Sequence, residues 1–167
     1  MSSAVIDAGP LIHLSELRAE DVLGDFEVLY VPPAVWMEVS KYQHDILKHP
    51  KLKLKKTEPP SLDIRLATLS QAFSLDHGEI QALALMAIYP NAIFLTDDAA
   101  ARLVAEEMGY QVHGTIGLLI RAVRKGHRSP EEVLSALSDL HKKSTLYVRP
   151  GLIADVIKRL EKEWLER

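Results

Sequence analysis

Two adjacent aspartates, Asp97 and Asp98, follow an apolar run in the stretch AIFLTDDAAAR at residues 92–102. An apolar run of this kind is typical of a buried strand, and the alanine-rich sequence after it predicts a helix. One aspartate is enough to cap that helix, and two neighbouring carboxylates repel each other. The second carboxylate is therefore a candidate for chemistry, with a divalent cation as the partner that would relieve the repulsion.

Three further carboxylates occupy positions that are unusual for a charged side chain. Asp7 ends the apolar run AVID, which predicts a first buried strand. Glu38 shares a predicted helical face with Val35, and Glu79 shares one with Leu83. Because an unpaired charge on an inward face is costly, we expect these three acids to converge with the paired aspartates at one edge of a sheet.

Each acid also has a purely structural explanation. Asp7 could cap the turn that follows it, and Glu38 could reach solvent from a short helix. Glu79 stands three residues after Asp76 in DHGE, which is a capping-box pattern. The combined pattern nevertheless favours a site for Mg²⁺ or Mn²⁺, because hard cations prefer oxygen ligands. Two such ions can activate water for phosphodiester cleavage.

Strands and helices alternate along the chain, which predicts an α/β protein with a mainly parallel sheet. Strands are predicted at 4–7, 26–31, 92–96 and 110–114, and residues 43–60 are predicted to be a loop with at most a short extended LKLK. Helices are predicted near Pro10 and at 34–42, 62–73 (capped by Ser61), 76–89, 99–109, 115–126, 129–143 (with a Ser129–Glu132 capping box) and 151–167. Active sites in such sheets lie outside the carboxyl ends of the strands, where Asp7 and the paired aspartates are predicted.

Length and composition limit the classes of protein. The 167 residues predict one domain, 1–167, with a core at about 4–125 and a helical extension at about 129–166. The chain has no cysteine, which excludes disulfides and thiolate sites and agrees with a cytoplasmic location. Neither a signal peptide nor a membrane span is predicted. The net charge of −3 gives no general attraction for nucleic acid, so any such site must be local.

With these motifs in place, the chain resembles the PIN-domain family, in its VapC-like branch. The matching pieces are VIDAGPLIHL, VPPAVWMEV, LDHGEIQALALM and FLTDDAAARLVAEEMGYQVHGTIGLL, and the similarity extends from about residue 4 to 160. The resemblance implies a three-layer α/β/α fold and a Mg²⁺- or Mn²⁺-dependent ribonuclease that acts on single-stranded or structured RNA. It also implies a toxin, with a small antitoxin as a candidate partner, and a homodimer.

The resemblance assigns roles by position. Asp7, Glu38, Glu79 and Asp98 correspond to the catalytic, metal-binding acids. Thr96 accompanies Asp98 in a T-x-D motif, which leaves Asp97 as a secondary metal ligand, a water holder or the cap of the helix. Glu79 is a glutamate where many relatives have aspartate.

Other features and classes of protein stay open at this stage. Arg102 could hold a carboxylate or a phosphate, or form only a surface ion pair one helical turn away. The basic stretches KLKLKK at 51–56 and RAVRKGHR at 121–128 could contact RNA phosphates or simply be solvated. A catalytically silent PIN-like scaffold is one alternative. A phospho-accepting receiver module is another, although the late strand YQVHG offers no lysine for the phosphate.

Overall fold

A parallel sheet organises the chain in the computed structural model, which describes residues 2–166. The strands are β1 Ser3–Ile6, β2 Val28–Val31, β3 Leu54–Lys56, β4 Ile93–Leu95 and β5 Val112–His113. The helices are α1 Ala8–Glu16, α2 Pro33–Tyr42, α3 Ile64–Ala72, α4 His77–Ile88, α5 Ala99–Glu107, α6 Thr115–Arg124, α7 Pro130–Ser138, α8 Leu140–Lys143 and α9 Pro150–Leu165. Short 3₁₀ turns cover Glu20–Leu23 and His44–Lys48. The strand order is β3-β2-β1-β4-β5, and every pair of neighbours is parallel.

Alternation along the central strands creates two hydrophobic cores, one on each face of the sheet. Ile6 of β1 and Leu95 of β4 lie in the core that also contains side chains of α1, α2, α6 and α7. Val5 and Phe94, which precede Ile6 and Leu95 in their strands, lie in the core that contains side chains of α4 and α5. Successive side chains of a strand point to opposite faces, so the two cores define three layers, α/β/α. The expected fold class is confirmed, and the sheet is entirely parallel.

Strand register brings the carboxyl ends of β1 and β4 side by side. Ile6 is paired with Leu95, and the amide N–H of Asp7 donates to the carbonyl oxygen of Leu95 at 2.9 Å. The residues that follow each strand therefore meet at one edge of the sheet. None of the helices within residues 2–166 is both long and apolar enough to cross a membrane.

Several local predictions needed correction. The loop predicted at 43–60 contains strand β3, which is additional to the four predicted strands. It forms because the alternating LKLKK sequence pairs with β2 at the edge of the sheet. Asp63, not Ser61, caps α3 by accepting from the amide of Leu66 at 2.7 Å. The predicted helix at 129–143 is divided into α7 and α8. The last residue of the predicted helix at 151–167, and both ends of the predicted domain, lie outside the described residues.

The capping box predicted at Ser129 is only half formed. The Ser129 hydroxyl accepts from the amide of Glu132 at 3.1 Å, but the Glu132 carboxylate lies 3.3 Å from Arg128 instead of returning to the helix start. Arg128 also contacts Asp21. The second basic stretch is therefore partly structural, and Arg121 within it is buried against Asp25 at 2.8 Å.

Candidate active site

Thr96 joins the two strand ends at which the predicted acids stand. Its side chain is fully buried, and its Oγ1 donates to Oδ2 of Asp7 at 3.0 Å. The same Oγ1 accepts from the amide N–H of Asp98 at 3.1 Å. Oδ1 of Asp7 accepts from the amide of Ala8, the first residue of α1, at 2.9 Å. The structure thus confirms the expected association of Thr96 with Asp98, and it adds a bond to Asp7.

The two adjacent aspartates have different tasks. Asp98 is the N-cap of α5, because its Oδ2 accepts from the amide of Ala101 at 2.8 Å. Asp97 turns the other way and accepts from the amide and the hydroxyl of Thr115, at 2.7 and 2.6 Å. It also accepts from Nδ1 of His13 at 2.6 Å. The cap of α5 proposed for Asp97 was therefore wrong, since Asp97 holds α1 and the first residue of α6 together.

The start of α4 supplies two more carboxylates. Asp76 accepts from the amide of Glu79 at 2.8 Å, and the Glu79 carboxylate accepts from the amide of Asp76 at 3.0 Å. This reciprocal pair is the capping box that the sequence predicted. Glu79 is only 8% exposed. Asp76 was treated only as a cap in the sequence, yet it belongs to the same acidic group.

Glu38 of α2 completes the set, but it is not on a buried face. Val35 and Val39 are fully buried, whereas Glu38 and Tyr42 are exposed, with Tyr42 at 67%. The expectation of an inward-facing Glu38 was therefore wrong. The buried stripe of α2 contains Val35 and Val39 but does not extend to Glu38 and Tyr42. Glu38 reaches the acidic group from the mouth of a cleft.

This acidic cleft has a volume of about 370 Å³ and lies at the carboxyl edge of the sheet. The carboxylates that line it come from strand ends and helix starts: Asp7, Glu38, Asp76, Glu79, Asp97 and Asp98. The opposite wall consists of Thr145, Leu146 and Tyr147, which precede α9. All five acids expected from the sequence are brought to one cleft, and Asp76 is added to them.

The environment of the cleft disfavours negative charge. Burial raises the pKa of Asp7 to about 7, with smaller contributions from the charges of Asp76 and Glu38, against the lowering effect of the bonds from Ala8 and Thr96. Burial also raises the pKa of Glu79 to about 8, and the nearby carboxylates act in the same direction. The pKa of Glu38, which is exposed as a residue, is raised by the partial desolvation of its carboxylate and by the charge of Asp76. A cation among these groups would reverse the effect.

The chemistry of the donors fits a hard divalent cation, because every acid in the cleft offers carboxylate oxygens. In the part of the chain that the structure describes, no three His, Asp or Glu side chains are already gathered closely enough to hold a metal ion. The carboxylates of Asp76, Glu79 and Asp98 instead accept from backbone amides of helix starts.

His13 and Thr115 also belong to this group of residues, through their bonds to Asp97. His13 and Thr115 were not expected at the site, because nothing in the local sequence indicates that they bind Asp97, 84 and 18 residues away.

Arg102 forms its ion pair with Glu106, at 3.9 Å, and not with Asp98. A Cβ added to Gly114 would lie 3.0 Å from Nη2 of Arg102 and 2.8 Å from Oδ1 of Asp97. Arg102 therefore lies at the edge of the acidic group.

The similarity to known proteins agrees with this geometry. A family model described as a PIN domain matches residues 3–162. The match covers nearly the whole chain and all of the clustered acids, so the chain belongs to the PIN-domain family. Members of this family are generally nucleases, and such nucleases generally use divalent metal ions. No curated protein gives a significant match to the chain.

Proposed function

We propose that the chain is a divalent-metal-dependent endoribonuclease of the VapC-like kind, which cleaves phosphodiester bonds of single-stranded or structured RNA. One observation supports this most directly. Six carboxylates from separate elements line one cleft at the carboxyl edge of a parallel sheet. Family membership adds that proteins with this fold are generally nucleases.

Asp7, Glu38, Glu79 and Asp98 are the residues that would hold Mg²⁺ or Mn²⁺, with Asp97 and Asp76 beside them. A bound divalent ion would supply an activated water and positive charge for the phosphate oxygens. The chain contributes the position of each acid. Thr96 fixes the Asp7 carboxylate by donating to Oδ2 and fixes the Asp98 backbone by accepting from its amide.

The burial of the Asp7 and Glu79 carboxyl groups in the cleft also determines how far they are protonated. In the metal-free protein, Asp7 is partly protonated and Glu79 mostly protonated near neutral pH, because burial raises their pKa values to about 7 and about 8. Ligand oxygens must be deprotonated, so loading the site releases protons from these two side chains. Asp97 is already satisfied by Thr115 and His13, which suits a positioning role better than direct ligation.

The test is cleavage of a labelled RNA by the purified wild type and by Asp7→Asn, with Mg²⁺ or Mn²⁺ and with EDTA. We expect the wild type to cleave only with metal, and Asp7→Asn to lose cleavage while its thermal unfolding stays cooperative. Asp155→Asn, which changes an exposed acid of α9, is the matched control and should cleave like the wild type. Wild-type cleavage by Asp7→Asn would contradict the assignment of the site.

The same assay separates the alternative functions. A wild type that binds metal and cleaves no RNA would indicate a silent scaffold. Labelling by acetyl phosphate would indicate a receiver module.

The proposal includes a toxin role in the cytoplasm, as a homodimer blocked by a small antitoxin. Expression of the wild type, but not of Asp7→Asn, is then expected to arrest growth.

A further inference from the structure

The segment between α8 and α9 places an aromatic ring beside the acidic cleft. Leu146 and Val148 are partly buried and pack on the core, whereas Tyr147 between them is 79% exposed. This alternation is that of an extended chain, in which neighbouring side chains point to opposite sides. Tyr147 therefore presents its ring to solvent while the residues on each side attach the segment to the core.

Glu16 at the end of α1 holds the start of this segment. One oxygen of its carboxylate, Oε1, accepts from the amide of Thr145 at 2.8 Å and from the Thr145 hydroxyl at 2.9 Å. The amide of Leu146 donates to the Ser144 hydroxyl at 3.0 Å. Because Asp7 is the N-cap of α1, the helix that follows the first acid also fixes the segment that carries Tyr147.

Tyr147 stands where two clefts meet. The acidic cleft, of about 370 Å³, and a second cleft, of about 390 Å³, share Asp97, Leu146 and Tyr147 as lining residues. The acidic cleft is lined by carboxylates. The second cleft is mostly apolar and is lined by Ile116, Ile120, Val148, Leu152 and two glycines, with Arg102 as a cation. A ligand that occupies both clefts would lie against these shared residues, of which Tyr147 is the aromatic one.

Single-stranded RNA has the chemistry for both surfaces. Any of the nucleobases can stack on an exposed aromatic ring, because each has a π-face. The apolar side chains of the second cleft can contact the face of the base that points away from the ring. A guanidinium pairs with phosphate oxygens. Among residues 2–166, the ion pair of Arg102 is the long 3.9 Å contact to Glu106. A duplex offers no such unstacked base.

We propose that the second cleft binds the nucleotide next to the scissile phosphate of single-stranded RNA, with its base on Tyr147 and its phosphate on Arg102. This inference rests on the proposed function, and it adds a substrate-binding subsite formed by Tyr147 and Arg102. Tyr147 contacts substrate and not the reacting atoms, so its removal should act on KM more than on kcat.

The experiment compares Tyr147→Ala and Tyr147→Phe with the wild type on a labelled single-stranded RNA of about ten nucleotides. We expect Tyr147→Ala to raise KM about tenfold with little change in kcat, and Tyr147→Phe to keep the wild-type KM because the ring remains. Tyr42→Ala is the matched control, since Tyr42 is also exposed, at 67%, and lines neither cleft. An unchanged KM in Tyr147→Ala, or an equal rise in Tyr42→Ala, would overturn the subsite.

Arg102 is tested separately by Arg102→Gln and Arg102→Lys. We expect Arg102→Gln to weaken binding of the same RNA and to lower the slope of log affinity against log salt by about one, with Arg102→Lys restoring most of the slope. An unchanged slope in Arg102→Gln would remove the phosphate contact from the proposal. If the wild type itself cleaves no RNA, the proposed function and the subsite both fail. If it cleaves normally and only the Tyr147 result is negative, the subsite alone fails.

Discussion

Thr96 Oγ1 donates to Asp7 Oδ2 across 3.0 Å, although the two residues are 89 positions apart in the chain. Both side chains are buried, so the bond forms where competition from water is weak. The bond therefore stabilises the junction of β1 and β4 and, at the same time, aims the Asp7 carboxylate. A change at Thr96 should affect stability and activity together.

Thr96→Val tests this double role. The variant keeps the size of the side chain but removes a donor to a buried carboxylate, which should lower the free energy of unfolding by about 1–3 kcal/mol. RNA cleavage should also fall. Thr68→Val, at an exposed position on α3, is the control and should change neither property. A thermal midpoint for Thr96→Val equal to that of the wild type would show that the bond does not contribute.

The raised pKa values predict how stability changes with pH in EDTA. The pKa of Asp7 is about 7 in the folded protein and 3.8 as its ordinary value, so the folded state holds this proton more tightly. The contribution of Asp7 to the free energy of unfolding is then fully present below about pH 4 and is lost as the pH rises to about 7. Glu79 acts in the same direction up to about pH 8.

Asp7→Asn isolates the Asp7 contribution, because the amide does not titrate. We expect the variant to gain stability relative to the wild type as the pH rises from 4 to 7, measured by urea unfolding in EDTA. Asp155→Asn should instead run parallel to the wild type over that range. A constant difference between Asp7→Asn and the wild type would mean that Asp7 ionises normally.

Divalent metal should stabilise the protein by neutralising the acidic cleft. The thermal midpoint should rise with Mn²⁺ or Mg²⁺ concentration, as mass action requires for an ion that binds the folded state. Proton release should accompany binding, since Asp7 and Glu79 carry protons near neutral pH. Calorimetry in buffers of different ionisation enthalpy measures that release. Ca²⁺ is expected to bind without supporting cleavage, because its coordination is less strict.

A midpoint that does not move across a millimolar Mn²⁺ titration would contradict a shared metal site. Asp7→Asn provides the comparison, since it should require more Mn²⁺ for the same rise in midpoint. If the variant and the wild type respond equally, the stabilising ion binds elsewhere on the chain.

Asp97 and Asp98 should differ when each is changed to asparagine. Asp98→Asn should remove most of the cleavage and change stability little, because asparagine is as good an N-cap as aspartate. Asp97→Asn should lower the free energy of unfolding by about 1–3 kcal/mol, because the negative acceptor of three hydrogen bonds is lost. It should keep measurable cleavage. Cleavage rate and the thermal midpoint in EDTA, measured side by side, test both statements.

The opposite result is an inactive Asp97→Asn and a nearly normal Asp98→Asn. It would show that Asp97, and not Asp98, is the acid that faces the metal. His13→Gln offers a further check on Asp97. It removes one donor to the carboxylate and should reproduce part of the stability loss without touching Asp98.

Much of this architecture is predictable from local sequence because the strong signals are local. Apolar runs that end in Asp7 and Asp97 mark the strands, and parallel strands must present those ends at one edge. The Asp76–Glu79 capping box follows from spacing alone. The edge strand β3 was predicted only as a short extended piece within a loop, because its lysines remain exposed and pairing with β2 makes it a strand of the sheet.

The remaining details depend on contacts that the local sequence does not encode. Nothing near His13 indicates that it meets Asp97, and nothing in α2 shows that its buried stripe excludes Glu38. Which of the paired aspartates caps α5 depends on the direction in which the chain leaves β4. The local sequence does not single out Tyr147, because its position at the cleft depends on the anchor that Glu16 provides to Thr145.

The hydrogen bonds around the cleft also determine when the cleft can exist during folding. Thr96 is 89 residues from Asp7, His13 is 84 from Asp97, and Glu16 is 129 from Thr145. Such distant pairs close long loops, and the entropy of closing a loop must be offset before its contacts stabilise the fold. A nascent chain that has not yet released Thr145 from the ribosome therefore lacks a wall of the cleft. Assembly of the active site is thus delayed until most of the protein has been synthesised.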